Sequence, residues 1–551
     1  MGPSILKSLL FVSYVSFVVS VFSERYGHKI HGKDCVGLEN NVKDIQEPCP
    51  VEDRSTKGFR FLNYTTKPSR VSSLPDVDFD VGEMYSGLIP INMSDPSRAL
   101  FFVYQPTVGA PVDEITVRMP SPNTRNLLIK KDLAQWRTCS LEGFFQENGR
   151  FLWSAGAFAP THNPYSWVNL TNVLWVDQPV GAGFSTGQVT ATSDEEIAQD
   201  FINFFLNFQK IFSIKKFKIF VTGESYAGRY VPYISSAMID RHDMDYFNLQ
   251  GVMTYDPTVG SFDYVQEMAV AAPFIHANNA ILNLNSSFLA ELDVIDQACG
   301  YADFRNKYLS FPPSGHQPTK YLDYAADIEC DTFDFAVTAA LAFNPCFNPY
   351  HVPDTCPMLP SVLGFSGILE VTTPGLLIYF DRADVKKAMH APPNVNWVMC
   401  SSTPVLLAPY DQGPEQNPGG DSSADPIQHA LPKVIEHTNR TLISNAQWDM
   451  VIITNGTLLA IQNMTWNGKL GFQTRPTTPI VINLPDLQYE TAFVANGFGG
   501  LDDPQGLMGA QHFERGLMWV ESFASGHEQP GYQPRSSYRH LQWLLGHIET
   551  L

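Results

Sequence analysis

The sequence predicts an α/β fold with a mixed, mostly parallel central sheet and a helical, disulfide-stapled cap inserted into the chain. Short apolar segments typical of strands alternate with longer segments in which apolar residues recur at helical spacing. This alternation stops between about residues 265 and 380, where proline, cysteine and short helical pieces dominate. The chain also has eight cysteines, an even number that favours disulfides in an exported protein.

Each element of the sheet layer is predicted from its own local pattern. Short apolar runs bounded by polar or turn residues predict strands at 100–105, 113–117, 172–176, 216–222, 440–444 and 517–523. A helix is predicted at 193–211, because Ser193 and the acidic residues that follow it form a capping pattern. Further helices are predicted at 226–240 and 536–551.

The composition is acidic and excludes a nucleic-acid partner. Asp and Glu total 56 against 36 Lys and Arg, which gives a formal net charge of -20. Binding to a phosphate backbone requires clustered positive charge. Hydrophobic residues make up 44% of the chain, enough to bury a large core, so we expect a folded protein rather than a disordered one.

The N-terminal residues predict export. Lys7 precedes a mostly apolar run that ends near a small-residue cleavage site, so residues 1–23 are interpreted as a signal peptide, with an uncleaved anchor as the alternative. Residues 24–84 are then an N-terminal extension open to partial processing, and 85–551 the main domain, with the cap at roughly 265–380. We expect an extracellular or vacuolar protein without a membrane anchor after signal removal. Export also fits the glycosylation sequons at Asn63, Asn92, Asn169, Asn285, Asn439, Asn455 and Asn463.

The cysteines are arranged for disulfides rather than for metal binding. Cys35 and Cys49 form a plausible local pair, and the cysteines from Cys299 to Cys356 are expected to staple the cap internally. No Cys-x-x-Cys pair and no His-Glu-x-x-His motif occurs. The sequence therefore predicts neither a metal site nor a cofactor.

Two serine motifs compete as nucleophile. Ser185 lies in a literal Gly-x-Ser-x-Gly, but it follows a Pro-Gly loop and no helix begins until Ser193. Ser225 lies in Gly-Glu-Ser-Tyr-Ala-Gly at 223–228, directly after a predicted strand and directly before a predicted helix. A nucleophile elbow needs this strand–turn–helix context, so Ser225 is the better candidate. The alternative for Ser225 is an ordinary helix start.

A serine nucleophile needs a base and an orienting acid, which follow it in the order acid and then histidine in hydrolases of this type. Asp449 comes shortly after the strand predicted at 440–444, and His527 lies in the loop before the last helix. His540 and His547 lie on that helix and are expected to pack or face solvent, and His512 precedes the last strand rather than following it. Asp449 and His527 are the predicted partners of the serine.

At this point the chain resembles the serine carboxypeptidases, and most of all their secreted fungal members. The resemblance covers nearly all of the chain after about residue 85 and depends on the segments 163–167 (NPYSW), 175–181 (WVDQPVG), 183–185 (GFS), 223–233 (GESYAGRYVPY) and the surroundings of His527. It implies an α/β-hydrolase fold and a serine-type carboxypeptidase that cleaves the C-terminal bond of peptides and proteins through an acyl-enzyme.

The resemblance also implies the roles of single residues. Ser225 is the nucleophile, His527 the general base and then acid, and Asp449 its orienting partner. The backbone N–H of Tyr226 is one oxyanion donor. Glu224 and Glu147 match the glutamates that bind the terminal carboxylate of the substrate. Two carboxyls held close share a proton, so that one of them can donate to a carboxylate, which predicts an acidic pH optimum.

One segment departs from the family pattern. The family has Trp-Leu-Asn-Gly-Gly-Pro-Gly-Cys-Ser-Ser after the strand at 113–117, which supplies the second oxyanion N–H and an Asn for the substrate carboxylate. Here residues 118–138 intervene, with Leu133 at the Asn position and Gln135 at the oxyanion glycine. Leu cannot bind a carboxylate, and Gln lacks the backbone freedom of Gly. The second oxyanion donor, near Gln135, is therefore doubtful.

The sequence of 133–138 suggests a cause. Codons for Trp-Leu-Asn-Gly-Gly-Pro, shifted by one base, encode Leu-Ala-Gln-Trp-Arg-Thr, which is the sequence at 133–138. Our hypothesis is a frame error or a retained intron within 118–138, with a decaying gene or a genuine insertion as alternatives. If the chain is made as written, we expect very weak activity, because loss of one oxyanion donor costs about 100- to 1000-fold.

Substrate preference and two alternative functions complete the predictions. Glu528 stands where many family members have Met, lines the pocket for the leaving residue, and predicts a preference for basic or polar C-terminal residues. One alternative is an acyltransferase on the same scaffold, which Glu224 disfavours because such relatives often have Asp before the nucleophile. The other is a catalytically impaired relative, which depends only on residues 118–138.

Overall fold

Ten strands of the described residues form one sheet at the centre of the fold. The structure is a computed structural model, and it describes residues 58–119, 139–318, 330–364, 377–400, 404–408, 420–482 and 506–551. The predicted signal peptide, the pair Cys35–Cys49, and the positions Leu133 and Gln135 lie outside the described residues.

The strands of the described residues, numbered along the chain, are β1 (Tyr85–Asn92), β2 (Asp95–Gln105), β3 (Glu114–Arg118), β4 (Phe151–Leu152), β5 (Thr161–His162), β6 (Asn172–Asp177), β7 (Lys218–Glu224), β8 (Leu249–Tyr255), β9 (Thr441–Ala446), β10 (Thr465–Trp466), β11 (Lys469–Leu470), β12 (Thr478–Ile482), β13 (Gly506–Glu514) and β14 (Leu517–Ser522). The helices are α1 (Asp194–Phe212), α2 (Ala227–Asp240), α3 (Ala269–Leu282), α4 (Ser286–Ala298), α5 (Tyr301–Tyr308), α6 (Thr332–Phe343), α7 (Ala383–Ala388), α8 (Ala430–Thr438), α9 (Thr454–Gln462), α10 (Gln529–Tyr532) and α11 (Pro534–Leu545).

The sheet is parallel in its centre and antiparallel at both edges, which agrees with the mixed, mostly parallel sheet that the sequence predicts. Its order is β1-β2-β6-β3-β7-β8-β9-β14-β13-β12, and the pairs from β6 to β14 are parallel. Strands β3, β6 and β9 are buried along their whole length. Parallel strands are covered by helices on both faces, which explains why they have continuous apolar runs rather than alternating ones. The carboxyl ends of β7, β8 and β9 meet at one edge of this sheet.

Helix α1 shows how closely local sequence sets an element. The side chain of Ser193 accepts a hydrogen bond from the N–H of Glu196 at 3.3 Å, and the carboxylate of Glu196 accepts one from Thr192 at 2.7 Å. This is a capping arrangement, and it begins the helix where the sequence predicts. The buried face of α1 is rich in phenylalanine and packs on β1 and β2.

The first described residues are part of the main core. Phe61 packs in the cluster beside β1 and α1, while Val71, Leu74, Val81 and Met84 are buried in the cluster on the other face of the sheet. Part of the predicted N-terminal extension is thus integrated into the fold rather than attached to its surface.

The cap contains helices α3 to α6 and has an apolar core of its own. Within it the disulfides Cys299–Cys330 and Cys346–Cys356 join cysteines 31 and 10 residues apart, which confirms the predicted internal stapling. A further disulfide, Cys139–Cys400, joins two segments 261 residues apart, a pairing that the sequence does not indicate. Among the described residues, no helix is both long enough and apolar enough to span a bilayer.

Candidate active site

Ser225 lies in a sharp turn between the end of β7 and the start of α2. It is fully buried and has a φ of 61°, in the left-handed region that a residue other than glycine rarely adopts. A Cβ on Gly223 would lie 2.4 Å from the Cβ of Ala227, so the turn is too tight for any side chain at 223. The strand, the turn and the helix together form the nucleophile elbow that the sequence predicts.

Tyr226 follows Ser225 and directly precedes α2, which places its backbone N–H at the positive end of a helix of 14 residues. Its side chain is held in place by a hydrogen bond to a buried aspartate. The hydroxyl donates to Oδ2 of Asp421 at 2.8 Å, and the same oxygen lies 2.9 Å from Nε of Arg229. Arg229 also contacts Asp194 at 3.1 Å, at the start of α1. A buried ionic network thus fixes the residue that is the candidate oxyanion donor.

His527 and Asp449 form a buried pair on two loops beyond the sheet. Nδ1 of His527 lies 2.6 Å from Oδ2 of Asp449, and Oδ1 of Asp449 accepts from the N–H of Val451 at 2.8 Å. Burial, the largest single effect, disfavours the imidazolium, but Asp449, Glu224 and Asp256 together outweigh it and raise the pKa of His527 well above its usual value. Nε2 of His527 is buried and makes no hydrogen bond to another described residue.

A second carboxylate, Asp256, lies beside this pair at the end of β8, and the sequence analysis did not identify it. Its oxygens accept from the N–H of Ala446 at 2.7 Å and from Nε2 of Gln529 at 2.6 Å. Burial, together with Asp449, raises the pKa of Asp256. Potential ligand atoms of Asp256, Asp449 and His527 lie within 4.8 Å of one another. N–H donors of the protein engage both carboxylates, and Asp449 also contacts the imidazole.

Glu147 and Glu224, the predicted carboxylate-binding pair, both contact a buried arginine. Nη2 of Arg118 donates to Oε2 of Glu147 at 2.7 Å and to Oε2 of Glu224 at 2.9 Å. The sequence analysis expected the two glutamates to share a proton, whereas the structure also places a guanidinium between them. Burial and the neighbouring Glu147 still raise the pKa of Glu224 well above its usual value, although Arg118 opposes the rise. Arg118 is the last residue of β3, one residue beyond the predicted strand end.

Two further glutamates, Glu528 and Glu142, interact electrostatically with His527, which lies in the loop after β14. Burial raises the pKa of Glu528 to about 7, against the opposing effect of His527. Burial, and then the charges of Glu528 and Glu147, raise the pKa of Glu142 well above its usual value. Glu142 directly precedes the π-helical turn Gly143–Glu147, and the sequence analysis did not identify it. The site is thus strongly acidic.

Ser185, the competing serine, is held by hydrogen bonds to the backbone of two sheet strands. Its Oγ donates to the carbonyl of Asp177 and accepts from the N–H of Phe101 at 2.8 Å, which ties β2 to the end of β6. Helix α1 begins only at Asp194, so Ser185 is not in an elbow. The sequence analysis disfavoured it for the same reason.

The predicted glycosylation positions differ in exposure. Asn63, Asn92, Asn285 and Asn439 are exposed, whereas Asn169, Asn455 and Asn463 are partly buried. The exposed ones are the better acceptors, because the transferase and the attached sugar both need room around the asparagine.

A buried serine in a nucleophile elbow, followed along the chain by an aspartate and a histidine that pair on adjacent loops, defines a serine hydrolase with the α/β-hydrolase fold. The comparison with solved structures agrees with this fold. The prohormone-processing carboxypeptidase Kex1 from Saccharomyces cerevisiae superposes with a TM-score of 0.61 at 18% identity, covering 88% of this chain and 96% of that one.

The sequence comparisons define the class further. The profile of the serine carboxypeptidase family matches residues 138–547. Serine-type carboxypeptidase F of Aspergillus niger is 58% identical over 505 residues, which are 91% of this chain and 90% of that protein. A probable serine carboxypeptidase of Arthroderma benhamiae is 38% identical over 516 residues, with the same two coverages of 91% and 90%. The chain belongs to the serine carboxypeptidase family, and it is a serine-type carboxypeptidase, a hydrolase.

Proposed function

We propose that the chain releases single residues from the C-termini of peptides and proteins through an acyl-enzyme on Ser225. Nε2 of His527 takes the proton from Oγ of Ser225 as that oxygen bonds to the carbonyl carbon of the last peptide bond. The same nitrogen then gives the proton to the amine of the departing residue as the C–N bond breaks. A water molecule, deprotonated by His527, finally hydrolyses the ester. The 2.6 Å contact between His527 and Asp449, at the end of the sheet where the elbow lies, is the main support.

Stabilisation of the tetrahedral intermediate is assigned to the backbone N–H of Tyr226. The dipole of α2 adds to this donor, and the contact from Tyr226 to Asp421 at 2.8 Å holds the residue in place. The second donor of the family lies near Gln135, outside the described residues. With one donor impaired, we expect activity about 100- to 1000-fold below that of an intact site.

The terminal carboxylate of the substrate is assigned to Glu147 and Glu224. Only a protonated carboxyl donates a hydrogen bond to a carboxylate, and the raised pKa of Glu224 favours its protonated form under mildly acidic conditions. An ionised pair would repel the substrate. An exopeptidase needs such a group, whereas an endopeptidase does not, which supports cleavage at the C-terminus.

The protonation of the acidic clamp and that of the histidine base are coupled. Glu224 and Asp256 contribute to the raised pKa of His527 only while they are ionised. Their own pKa values are raised by burial, so each takes up a proton as the pH falls. Protonation of these two groups removes part of the rise in the pKa of His527, whereas the larger contribution of Asp449 remains.

The leaving residue is assigned to a pocket that includes Glu528. Its carboxylate is half-buried beside His527, and a cation on the substrate would compensate the burial that raises its pKa to about 7. We therefore propose a preference for basic or polar C-terminal residues. Glu142, which interacts electrostatically with Glu528, is a second carboxyl on this side of the site, and its raised pKa favours the protonated form.

The proposed location is outside the cell or in the vacuole, reached through the secretory pathway. The predicted signal peptide supports this, as do the exposed sequons at Asn63, Asn92, Asn285 and Asn439 and the disulfides.

The deciding experiment measures release of free amino acid from a blocked dipeptide by the full chain and by Ser225→Ala. We expect release by the full chain, loss of release in the variant, and labelling by an organophosphonate of the full chain only. Ser185→Ala is the matched control, because Ser185 is also buried but has hydrogen-bond partners in the sheet. Equal activity of Ser225→Ala and the unmodified chain would refute the assignment.

A further inference from the structure

A short loop of the cap, closed by the disulfide Cys346–Cys356, packs against both loops that present the acid and the base. Residues 346–356 are called the cystine loop below. Phe347 and Val352 of this loop are buried in the apolar core of the cap, whereas Tyr350 is buried in the cluster beside the central sheet. The cystine loop therefore links the cap to the part of the fold that holds the catalytic residues.

The cystine loop fixes the backbone on both sides of Asp449. The N–H of Met450 donates to the carbonyl of Pro349 at 2.7 Å, and the N–H of Val352 donates to the carbonyl of Trp448 at 3.1 Å. The residue before Asp449 and the residue after it are thus both hydrogen-bonded to the same loop. Rotation of this short segment would move the Asp449 carboxylate.

The same loop also contacts the histidine. The backbone N–H of His527 donates to the carbonyl of Tyr350 at 2.8 Å, and the Tyr350 ring lies edge-on to the imidazole with 5.1 Å between the ring centres. A Cβ on Gly526 would lie 2.6 Å from the Tyr350 carbonyl oxygen, so only glycine permits this approach. His351 stacks on Tyr532, just beyond His527, with 4.1 Å between ring centres.

The cystine loop is itself tightly held. Asp354 accepts hydrogen bonds from Nδ2 of Asn348 at 2.8 Å and pairs with Nδ1 of His351 at 2.6 Å. With the disulfide, these contacts close a loop whose ends are 10 residues apart. A loop of this kind has few conformations, so the carbonyls that it presents to the acid and base loops are fixed in space.

We propose that the cystine loop is a positioning element for catalysis, which sets the Asp449 carboxylate against the imidazole of His527. This inference rests on the roles proposed above for these two residues. Both lie on loops rather than in strands, and the cystine loop contacts both. Because a displacement of about 1 Å in a catalytic group costs about 100-fold in rate, a loop that fixes both partners affects turnover directly.

The test compares removal of two disulfides of the cap in the full chain. Cys346→Ala/Cys356→Ala opens the cystine loop, while the matched control Cys299→Ala/Cys330→Ala opens a loop that joins α4 to the start of α6. We measure kcat and KM on a blocked dipeptide, the rate of organophosphonate labelling, and thermal unfolding. The expected result is a loss of about 10- to 100-fold in kcat and in labelling rate for the first variant, with KM unchanged. The control is expected to keep kcat within about twofold, whatever its loss of stability.

A second variant keeps the proposal testable if the first does not fold. Gly526→Ala retains both disulfides but pushes Tyr350 away from the backbone of His527, and the same selective loss of kcat is expected. A folded variant of either kind with unchanged kcat would overturn the proposal, as would an equal loss in the control. Asp449→Ala and His527→Ala distinguish a failure of the proposed triad from a failure of the proposed positioning role. If these variants are active, the proposed triad is wrong; if they are inactive while the loop variants are fully active, only the positioning role is wrong.

Discussion

Nη2 of Arg118 lies 2.7 Å from Oε2 of Glu147, and both side chains are at least 97% buried, with exposures of 3% and 1%. The same nitrogen contacts Glu224 at 2.9 Å, so one guanidinium serves both glutamates of the proposed carboxylate clamp. A buried cation at this position explains how two acidic side chains can lie close together in the core beside Ser225, the proposed nucleophile. It also changes what controls their protonation.

Removal of this cation should alter both pH dependence and stability. Arg118→Met takes away the charge that opposes the raised pKa of Glu224, so that pKa rises further. Because substrate binding requires the protonated form, the alkaline limb of 1/KM should move to higher pH. At neutral pH the free energy of unfolding should fall by about 3–5 kcal/mol, because two buried carboxylates lose their partner.

KM is measured from pH 4 to 8 in steps of about half a pH unit, and the free energy of unfolding is measured with denaturant at both ends of this range. Arg118→Lys, which keeps the charge, is the control and should retain more of both properties. An alkaline limb that stays in place in Arg118→Met would show that Arg118 does not influence the clamp, and one that moves to lower pH would show that its charge does not hold down the pKa of Glu224.

Asp449, the proposed acid of the catalytic pair, gives a prediction of larger magnitude. Asp449→Asn keeps the shape of the side chain but lets its amide donate to Nδ1, which stabilises the wrong tautomer of His527. We expect kcat to fall by about 10⁴-fold with KM nearly unchanged. Asp256→Asn should have a smaller effect, since Asp256 contacts Ala446 and Gln529 rather than the imidazole. The relevant measurement is steady-state hydrolysis of a blocked dipeptide, and an Asp449→Asn variant with full activity would remove Asp449 from the mechanism.

The elements and the catalytic residues differ in how far sequence alone predicts them. Ser193 and Glu196 cap α1 locally, and Gly223 with Ala227 marks the elbow, so both features follow from residues close together in the chain. The pairing of Asp449 with His527 across 78 residues was reached through the expected chain order. No such rule exists for Asp256 or Glu142, whose roles arise only when distant loops meet.

Arg118 was missed for a different reason. In the sequence it falls at the start of the irregular segment 118–138, beyond the predicted strand at 113–117. The structure extends β3 through Arg118, which is in register with Trp175 on one side and Thr222 on the other. Strand alternation places Arg118 on the face opposite Ile115 and Val117, towards the glutamates. The periodicity was visible in the sequence, but the burial of a charge could not be inferred without its partners.

Substrate preference can be tested at Glu528. In Glu528→Gln, kcat/KM for a blocked dipeptide ending in Lys should fall by about tenfold, the value of one charge-assisted contact. A matched dipeptide ending in Leu should be unaffected or cleaved slightly faster. Since the pKa of Glu528 is about 7, the carboxyl gains charge as the pH rises through this value, and the Lys/Leu ratio of the unmodified chain should rise with it. A strong preference for Leu at every pH would contradict the proposed pocket.

The segment 118–138 yields the last prediction, on the oxyanion hole. The family profile begins to match only at residue 138. The sheet strands β1, β2 and β3 come before that residue in the chain, and β3 ends at Arg118. A local interruption between an intact strand and an intact family segment is what a frame error or a retained intron would produce. We therefore expect the transcript to encode Trp-Leu-Asn-Gly-Gly-Pro directly after Val117, in place of Arg118, and a chain expressed from it to exceed the present chain in kcat by about 100- to 1000-fold, since it regains an oxyanion donor. Arg118 would then be absent and the clamp glutamates would share a proton instead. A transcript that encodes residues 118–138 as they stand, or equal kcat for the two chains, would show that the segment is genuine and that the oxyanion hole is complete by another route.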